Sequence, residues 1–275
     1  MKNRPIKYLD LFAGAGGLSE GFILTGFLPV AHVEADRAAC FTLKTRMAYH
    51  WLSSHGQSER YDDYLCGKIT RRELYEVVPE QCIQSVINEE IGEASLDHVF
   101  MKIDEFLGNS TLDLIIGGPP CQAYSIVGRA RDRNGMKGDK RNYLYFYYVE
   151  FLKRYKPLYF VFENVTGLLS ARDSEGNLYF DNMRALFREA GYETEYMVLS
   201  AEKYGILQNR KRIILVGRRG KKTGFYPDPL KWYPGVKVKE IFSDLPPLNA
   251  GQGEVRPCKV RNYSVTVHRA NNLLI

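Results

Sequence analysis

A lone cysteine stands behind two prolines at the end of an apolar run, in "LDLIIGGPPCQAYS" (112–125). The run from Leu112 to Gly118 is short, apolar and closed by glycines, which reads as a buried strand rather than a helix. Cys121 therefore falls just past a strand end. In open α/β sheets ligands bind in the crevice at the carboxyl ends of strands, so a thiol there is placed for nucleophilic chemistry. Free cysteine is also among the most buried residue types and packs as a small hydrophobe. This stretch alone does not decide between the two roles.

A second stretch, "DLFAGAGGLS" (10–19), sets Gly14, Gly16 and Gly17 between a strand and a helix. Glycines at such a turn let the backbone approach a ligand and leave helix N-terminal N–H groups exposed to it. The dinucleotide fingerprint G-x-G-x-x-G needs a glycine at position 19, and Ser19 stands there, which opposes a nicotinamide enzyme. Glu34 closes the next strand 18 residues after Gly16, close to the ~20 of a carboxylate that grips ribose hydroxyls. The ligand that fits both features is an adenosine-containing molecule that does not use the third glycine. S-adenosylmethionine is such a molecule.

Positioning these residues requires strands that end together. "KYLDLF" (7–12) reads as a buried strand, and "LSEGFILTGF" carries Leu18, Phe22, Ile23 and Phe27 at helical spacing. "LPVAHVEAD" and "RAACFTLKTRM" repeat the pattern, a βαβα opening that points to a parallel sheet with right-handed crossovers. Residues 53–108 hold polar loops and at least two helices, near Arg72–Val78 and Leu96–Leu107. Strand patterns return at "LYFVFENV" (158–165), "YETEYMVLSA" (192–201) and "RIILVGRR" (212–219). The last two are only about ten residues apart, too few for a crossover helix, so an antiparallel pair is expected. Beyond Gly220 the composition shifts to Pro, Lys and Gly, which divides the chain into a catalytic domain (1–222) and a linker towards a further domain (223–275).

At 275 residues the chain can bury a sizeable core. It has no apolar run of about 18 residues and no signal-peptide pattern, so neither a membrane nor secretion is expected. The five cysteines, at 40, 66, 82, 121 and 258, are odd in number and form no C-x-x-C pair, which opposes a disulfide framework and a zinc site. No metal is expected. The net charge is +6, and basic residues crowd 128–141, 208–212 and 217–222. Each cluster alone is an ordinary solvated loop, but three following strand ends would form one rim for a polyanion.

Taken in chain order, "DLFAGAGGLS", "GGPPCQAYS", "FENV" and "QNRKRIILVG" resemble the DNA (cytosine-5) methyltransferases over roughly residues 5–220. The resemblance implies a Rossmann-like class I methyltransferase fold with a mostly parallel sheet, S-adenosylmethionine as cofactor and double-stranded DNA as substrate. It implies a bacterial cytoplasmic, nucleoid-associated protein of a restriction-modification system. Cys121 then resembles the nucleophile that adds to C6 of a flipped cytosine, which makes C5 able to take the methyl group. Glu163 resembles the group that hydrogen-bonds N3 and the exocyclic amine, for which it must carry or share a proton, with Asn164 beside it. Pro120 shapes the turn and offers its backbone to the base. Arg212 reaches cytosine O2 and helps hold Glu163 through a planar fork that lysine lacks. Gln208 and Arg210 are structural or phosphate-directed. Gln122 and Ser125 continue the active-site loop, Ser125 and Arg129 contact phosphates, and the run to Arg141 closes over the DNA, with Gly128, Gly135 and Gly138 as flexible points.

On the cofactor side the resemblance assigns Phe12 to the adenine and sulfonium end, Gly14, Gly16 and Leu18 to the methionine moiety, Glu34 to the ribose, and Leu144 to a further contact. The family's third motif is usually Gly-Asp-Ile, its aspartate reaching the adenine amine. The nearest match is "GKIT" (67–70), where Lys68 has no acceptor to offer and Ile69 is left to give its backbone N–H. Asp104 competes for this role but reads better as helix surface. Members of the family continue into a target-recognition domain and two further motifs. Base-specific reading is therefore expected from a longer chain, or from a second subunit of a split enzyme, unless the protein is degenerate. A transfer-RNA cytosine-5 methyltransferase shares the Pro-Pro-Cys core and is the alternative activity.

Overall fold

The computed structural model describes residues 4–120, 144–173, 175–228 and 238–241. Seven strands form one sheet: β1 (Lys7–Leu11), β2 (Leu28–Glu34), β3 (Val86–Asn88), β4 (Leu114–Gly117), β5 (Tyr159–Asn164), β6 (Tyr192–Ser200) and β7 (Lys211–Arg219). Their order across the sheet is β3-β2-β1-β4-β5-β7-β6. The pairs β1–β2, β1–β4, β2–β3 and β4–β5 are parallel, and β7 runs antiparallel to β5 from Tyr159↔Arg218 to Asn164↔Ile213. The expected mostly parallel sheet with an antiparallel pair near its end is what the chain forms, the pair being β5–β7, with β6 at the edge beside β7.

Helices α1 (Gly17–Leu24) and α2 (Arg37–Ser54) follow β1 and β2. The excursion before β3 contains α3 (Ser58–Leu65), α4 (Arg71–Glu76) and α5 (Glu80–Gln84), and α6 (Leu96–Leu107) follows β3. Further on lie α7 (Leu144–Tyr155) and α8 (Tyr179–Glu189). Registered residues of parallel strands share a face, and the two faces are covered differently. Tyr8, Leu114 and Ile116 pack under Leu18, Phe22 and Ile23 of α1 and Phe27 just beyond it, while Leu9, Leu11, Val33, Ile115, Phe160 and Phe162 pack with α6, α7 and α8. Helices on both faces of a largely parallel sheet, with the order reversing beside β1, make a doubly wound fold whose crevice lies at the carboxyl ends of β1, β2, β4 and β5.

The stretch 53–108 holds more structure than two helices. β3 is only three residues long, too short to show a period against its polar neighbours. No described helix is long and apolar enough to cross a membrane. The described residues group into two compact units: those of 1–197 with 213–226, and those of 198–212 with 227 onward. The division passes through β6 and β7.

Phe160 and Gly217 are registered across the β5–β7 pair. A Cβ on Gly217 would sit 1.9 Å from Cε1 of Phe160, a buried ring packed against Tyr148, Phe187 and Tyr192. Gly217→Ala should therefore destabilise the chain by about 1–3 kcal/mol or more through overpacking, and Phe160→Leu in the same chain should recover part of the loss. Urea denaturation measures both; an alanine variant as stable as the wild type would contradict this packing.

Candidate active site

The first wall of the crevice is the turn after β1. Phe12 adopts φ +57°, a conformation rare for a side chain of its size, and Gly14 (φ +56°) and Gly16 (φ +84°) continue the reversal into α1. A Cβ on Gly16 would meet Leu43 Cδ2 at 2.8 Å, so glycine is required there for α2 to pack behind the turn. Around Gly14 and Gly17 a Cβ would meet nothing within 4 Å, leaving the backbone open to a ligand. Glu34 joins this turn to the next one: its Oε2 accepts from the Gly14 N–H at 2.7 Å and its Oε1 from the Asp36 N–H at 2.7 Å. Asn88, at the end of β3, donates from Nδ2 to the carbonyls of Glu34 and Ala35. Leu18, half-buried, packs against the apolar layer between α1 and the sheet.

The second wall is the end of β4 against β5. A Cβ on Gly117 would lie 2.4 Å from the carbonyl oxygen of Leu11, and one on Gly118 would lie 2.8 Å from Glu163 Oε2 and 2.9 Å from its carbonyl oxygen. Both positions need glycine because backbone and carboxylate occupy the space. Buried Asn164 donates from Nδ2 to the Pro119 carbonyl at 3.3 Å and accepts the Val165 N–H at 2.9 Å. The Gly118-Pro119-Pro120 segment is thus held beside half-buried Glu163, with Pro120 exposed at its end. Cys121, Gln122, Ser125 and Arg129 follow it in sequence and lie outside the described residues. Leu144, half-buried, begins α7.

Arg212 is the second residue of β7, its Nη1 donating to the Lys211 carbonyl. Gln208 and Arg210 are exposed just before it, and the Arg210 carbonyl accepts the Ala201 N–H at 2.9 Å. These three residues belong to the second compact unit.

Ile69, expected beside the adenine, packs away from the strand ends. Ile69 packs into a cluster with Ala48, Leu52, Leu74 and Val78, which begins at least eleven residues into α2, about 16 Å from its first residue at the crevice. Lys68 pairs with Asp63, and Thr70 with Glu73 forms a capping box that starts α4. "GKIT" is therefore a helix-start signal, and Ile69 does not sit at a strand end. Asp104 pairs with Arg154 and accepts from Tyr155 Oη, so it is helix surface, as its sequence context suggested. The acid-isoleucine dipeptide that does follow the third strand is Glu90-Ile91, missed because β3 is so short.

Asp10, two residues before the turn, is 1% exposed, and its Oδ2 has no partner among the described residues. Burial, with the Glu34 charge second, raises its pKa well above the usual carboxylate range.

A doubly wound sheet with a glycine turn after β1 and a reversed β7 defines the Rossmann-like methyltransferase class. The family model for C-5 cytosine-specific DNA methylase matches residues 6–62 and 86–260, and the chain belongs to that family. It is 36% identical over 277 aligned positions to the Type II methyltransferase M.Bpa9945I of Bacillus paralicheniformis, covering 89% of this chain and 62% of that protein. It is 33% identical to the Type II methyltransferase M.XorII of Xanthomonas oryzae pv. oryzae, covering 88% of this chain and 47% of that one. The chain thus spans about half to three fifths of the length of these relatives. A solved structure described as a prophage-encoded DNA modification methyltransferase (E. coli) shares the fold, with a TM-score of 0.54 at 23% identity over 88% of this chain and 56% of that one.

The raised Asp10 pKa has a testable sign. Below about pH 4 the carboxyl is protonated in both folded and unfolded chains. As pH rises the unfolded chain releases this proton first, so folding loses stability until the folded pKa is passed. Asp10→Asn removes that loss. Its stability relative to wild type should be greater at pH 8 than at pH 5 in urea titrations; an equal difference at both would show that Asp10 ionises normally.

Proposed function

We propose that this protein transfers a methyl group from S-adenosylmethionine to C5 of cytosine in double-stranded DNA, in a restriction-modification system. The reading rests on the strand end Gly118-Pro119-Pro120, which leads into Cys121 and is held against Glu163. The cofactor fits the open glycine turn: Gly14, Gly16 and the backbone of Leu18 take its methionine end, the Glu34 carboxylate its ribose hydroxyls, and Phe12 and Leu144 the remaining apolar surface. Glu90 and Ile91 replace Lys68 and Ile69 as the candidates beside the adenine. When bound, S-adenosylmethionine supplies an electrophilic methyl carbon.

The chain's own residues prepare the base. The Cys121 thiolate adds to C6 of a cytosine flipped from the stack, and the new C–S bond places electron density on C5. Glu163, carrying or sharing a proton, hydrogen-bonds N3 and the exocyclic amine and offsets the charge that develops there. Arg212 holds O2 with its planar fork. Pro120 and Asn164 position the thiol segment, Gln122 and Ser125 extend it, and Arg129, Gln208 and Arg210 meet phosphates. Once C5 has the methyl, loss of its proton lets the C–S electrons return to sulfur. Base-specific reading resides in the further length that such relatives carry, or in a second subunit, and binding by these residues alone is salt-sensitive.

Methyl incorporation into duplex DNA and into transfer RNA separates the two substrate readings; labelling of RNA alone would overturn this one. A duplex containing 5-fluorocytosine should trap a covalent adduct that Cys121→Ser abolishes. Glu163→Gln should lower methyl transfer by about 10²–10⁴-fold, the range for a lost proton-handling group.

A further inference from the structure

The layer between α1 and the sheet holds a hydrogen-bonded polar cluster among its apolar side chains, with buried Asp10 registered beside it on β1. Ser19, in the first turn of α1, is 1% exposed, and Tyr8 on β1 and His32 on β2 are fully buried beneath it. The Ser19 hydroxyl lies 2.5 Å from the Tyr8 hydroxyl and 2.8 Å from His32 Nε2. Buried polar groups are costly unless paired, so the three are mutually dependent. Removing the serine hydroxyl leaves both others without this partner. Burial, with His50 second, lowers the His32 pKa to about 4, so the imidazole is neutral at pH 7 and acts as a hydrogen-bonding group.

The geometry of this triad concerns the turn above it. Ser19 reaches β1 and β2 at once, which fixes both the height and the rotation of α1. Gly16, the N-cap of α1, is wedged from the other side by Leu43 and Arg46. β2 carries His32 and, two residues on, Glu34, whose carboxylate holds the Gly14 N–H. One strand therefore locates both the helix that follows the turn and the carboxylate that faces it. In the dinucleotide fingerprint the third glycine allows close helix–strand packing at position 19.

We propose that Ser19, Tyr8 and His32 form a buried strut that replaces that third glycine, and that Ser19 and His32 are positioning residues for binding of the adenosyl cofactor at the glycine turn. The proposal rests on the reading of the turn as the S-adenosylmethionine site. Without the strut, α1 shifts against the sheet and Gly14–Gly17 lose their alignment with Glu34.

The test measures S-adenosylmethionine and S-adenosylhomocysteine binding to the full chain by calorimetry, with thermal stability recorded alongside. Ser19→Ala and His32→Leu should each weaken cofactor binding by about tenfold, the consequence of orphaning a buried hydrogen-bond partner. His32→Gln, whose amide can reach Ser19, should stay within about threefold of wild type, the scale of one imperfect neutral hydrogen bond. Gly217→Ala, which disturbs packing at β5–β7, should lose stability and keep its affinity while folded, separating a local effect on the turn from general loosening. If Ser19→Ala does not fold, Tyr8→Phe removes one hydroxyl, keeps the ring and carries the same expectation. Wild-type binding with unchanged affinity in the folded Ser19, Tyr8 and His32 variants overturns the strut alone. A wild-type chain that binds neither ligand overturns the cofactor reading and the strut with it.

Discussion

The crevice depends on close approach of main chain to main chain at the carboxyl ends of β1, β4 and β5. Gly117 lies against the Leu11 carbonyl, and Gly118 lies against the Glu163 carboxylate and carbonyl, with no space for a methyl group at either position. That contact decides where the prolines can go and hence where the chain leaves the sheet. Asn164 then secures the exit by taking the Pro119 carbonyl. Glu163 and the segment that leads towards Cys121 in sequence therefore come from neighbouring strands.

The cofactor wall is built on the same economy of backbone. Glu34 accepts from main-chain N–H groups in two different turns, so a single carboxylate ties the loop after β1 to the loop after β2. Its position is in turn set by Asn88 from β3. Three consecutive parallel strands thus contribute one residue type each to the crevice: glycine from the first, an acid from the second, an amide from the third. Membership of the C-5 cytosine-specific DNA methylase family is consistent with that division.

Much of this was legible in the primary structure, for identifiable reasons. β1, β2, β4 and β5 carry apolar runs ended by glycine, acid or amide, and α1 shows its apolar stripe at Leu18, Phe22, Ile23 and Phe27. The short β6–β7 connection pointed to an antiparallel pair near the end of the sheet, and the antiparallel register falls between β7 and β5. Between α2 and β4 the two expected helices form, as α4 (Arg71–Glu76) and α6 (Leu96–Leu107), while α3, α5 and β3 went unassigned. Thr70 ends the GKIT match in sequence but forms a capping box with Glu73 in space, and the third strand has too few residues to alternate. α7 and α8 also went unassigned, since their aromatic-rich sequences resemble strands as much as helices. The Ser19–His32–Tyr8 contact had no signal beyond a missing glycine, because it joins three elements whose relative placement only the fold supplies.

The excursion between α2 and β3 is packed onto α2. Residues 63–85 fall in the gap between the two segments that the family model matches, yet they are not a loose appendage. Leu74 and Val78 bury Ala48 and Leu52 on the outer face of α2. Without this segment Ala48 and Leu52 would face water, so α2 is apolar there because the excursion covers it.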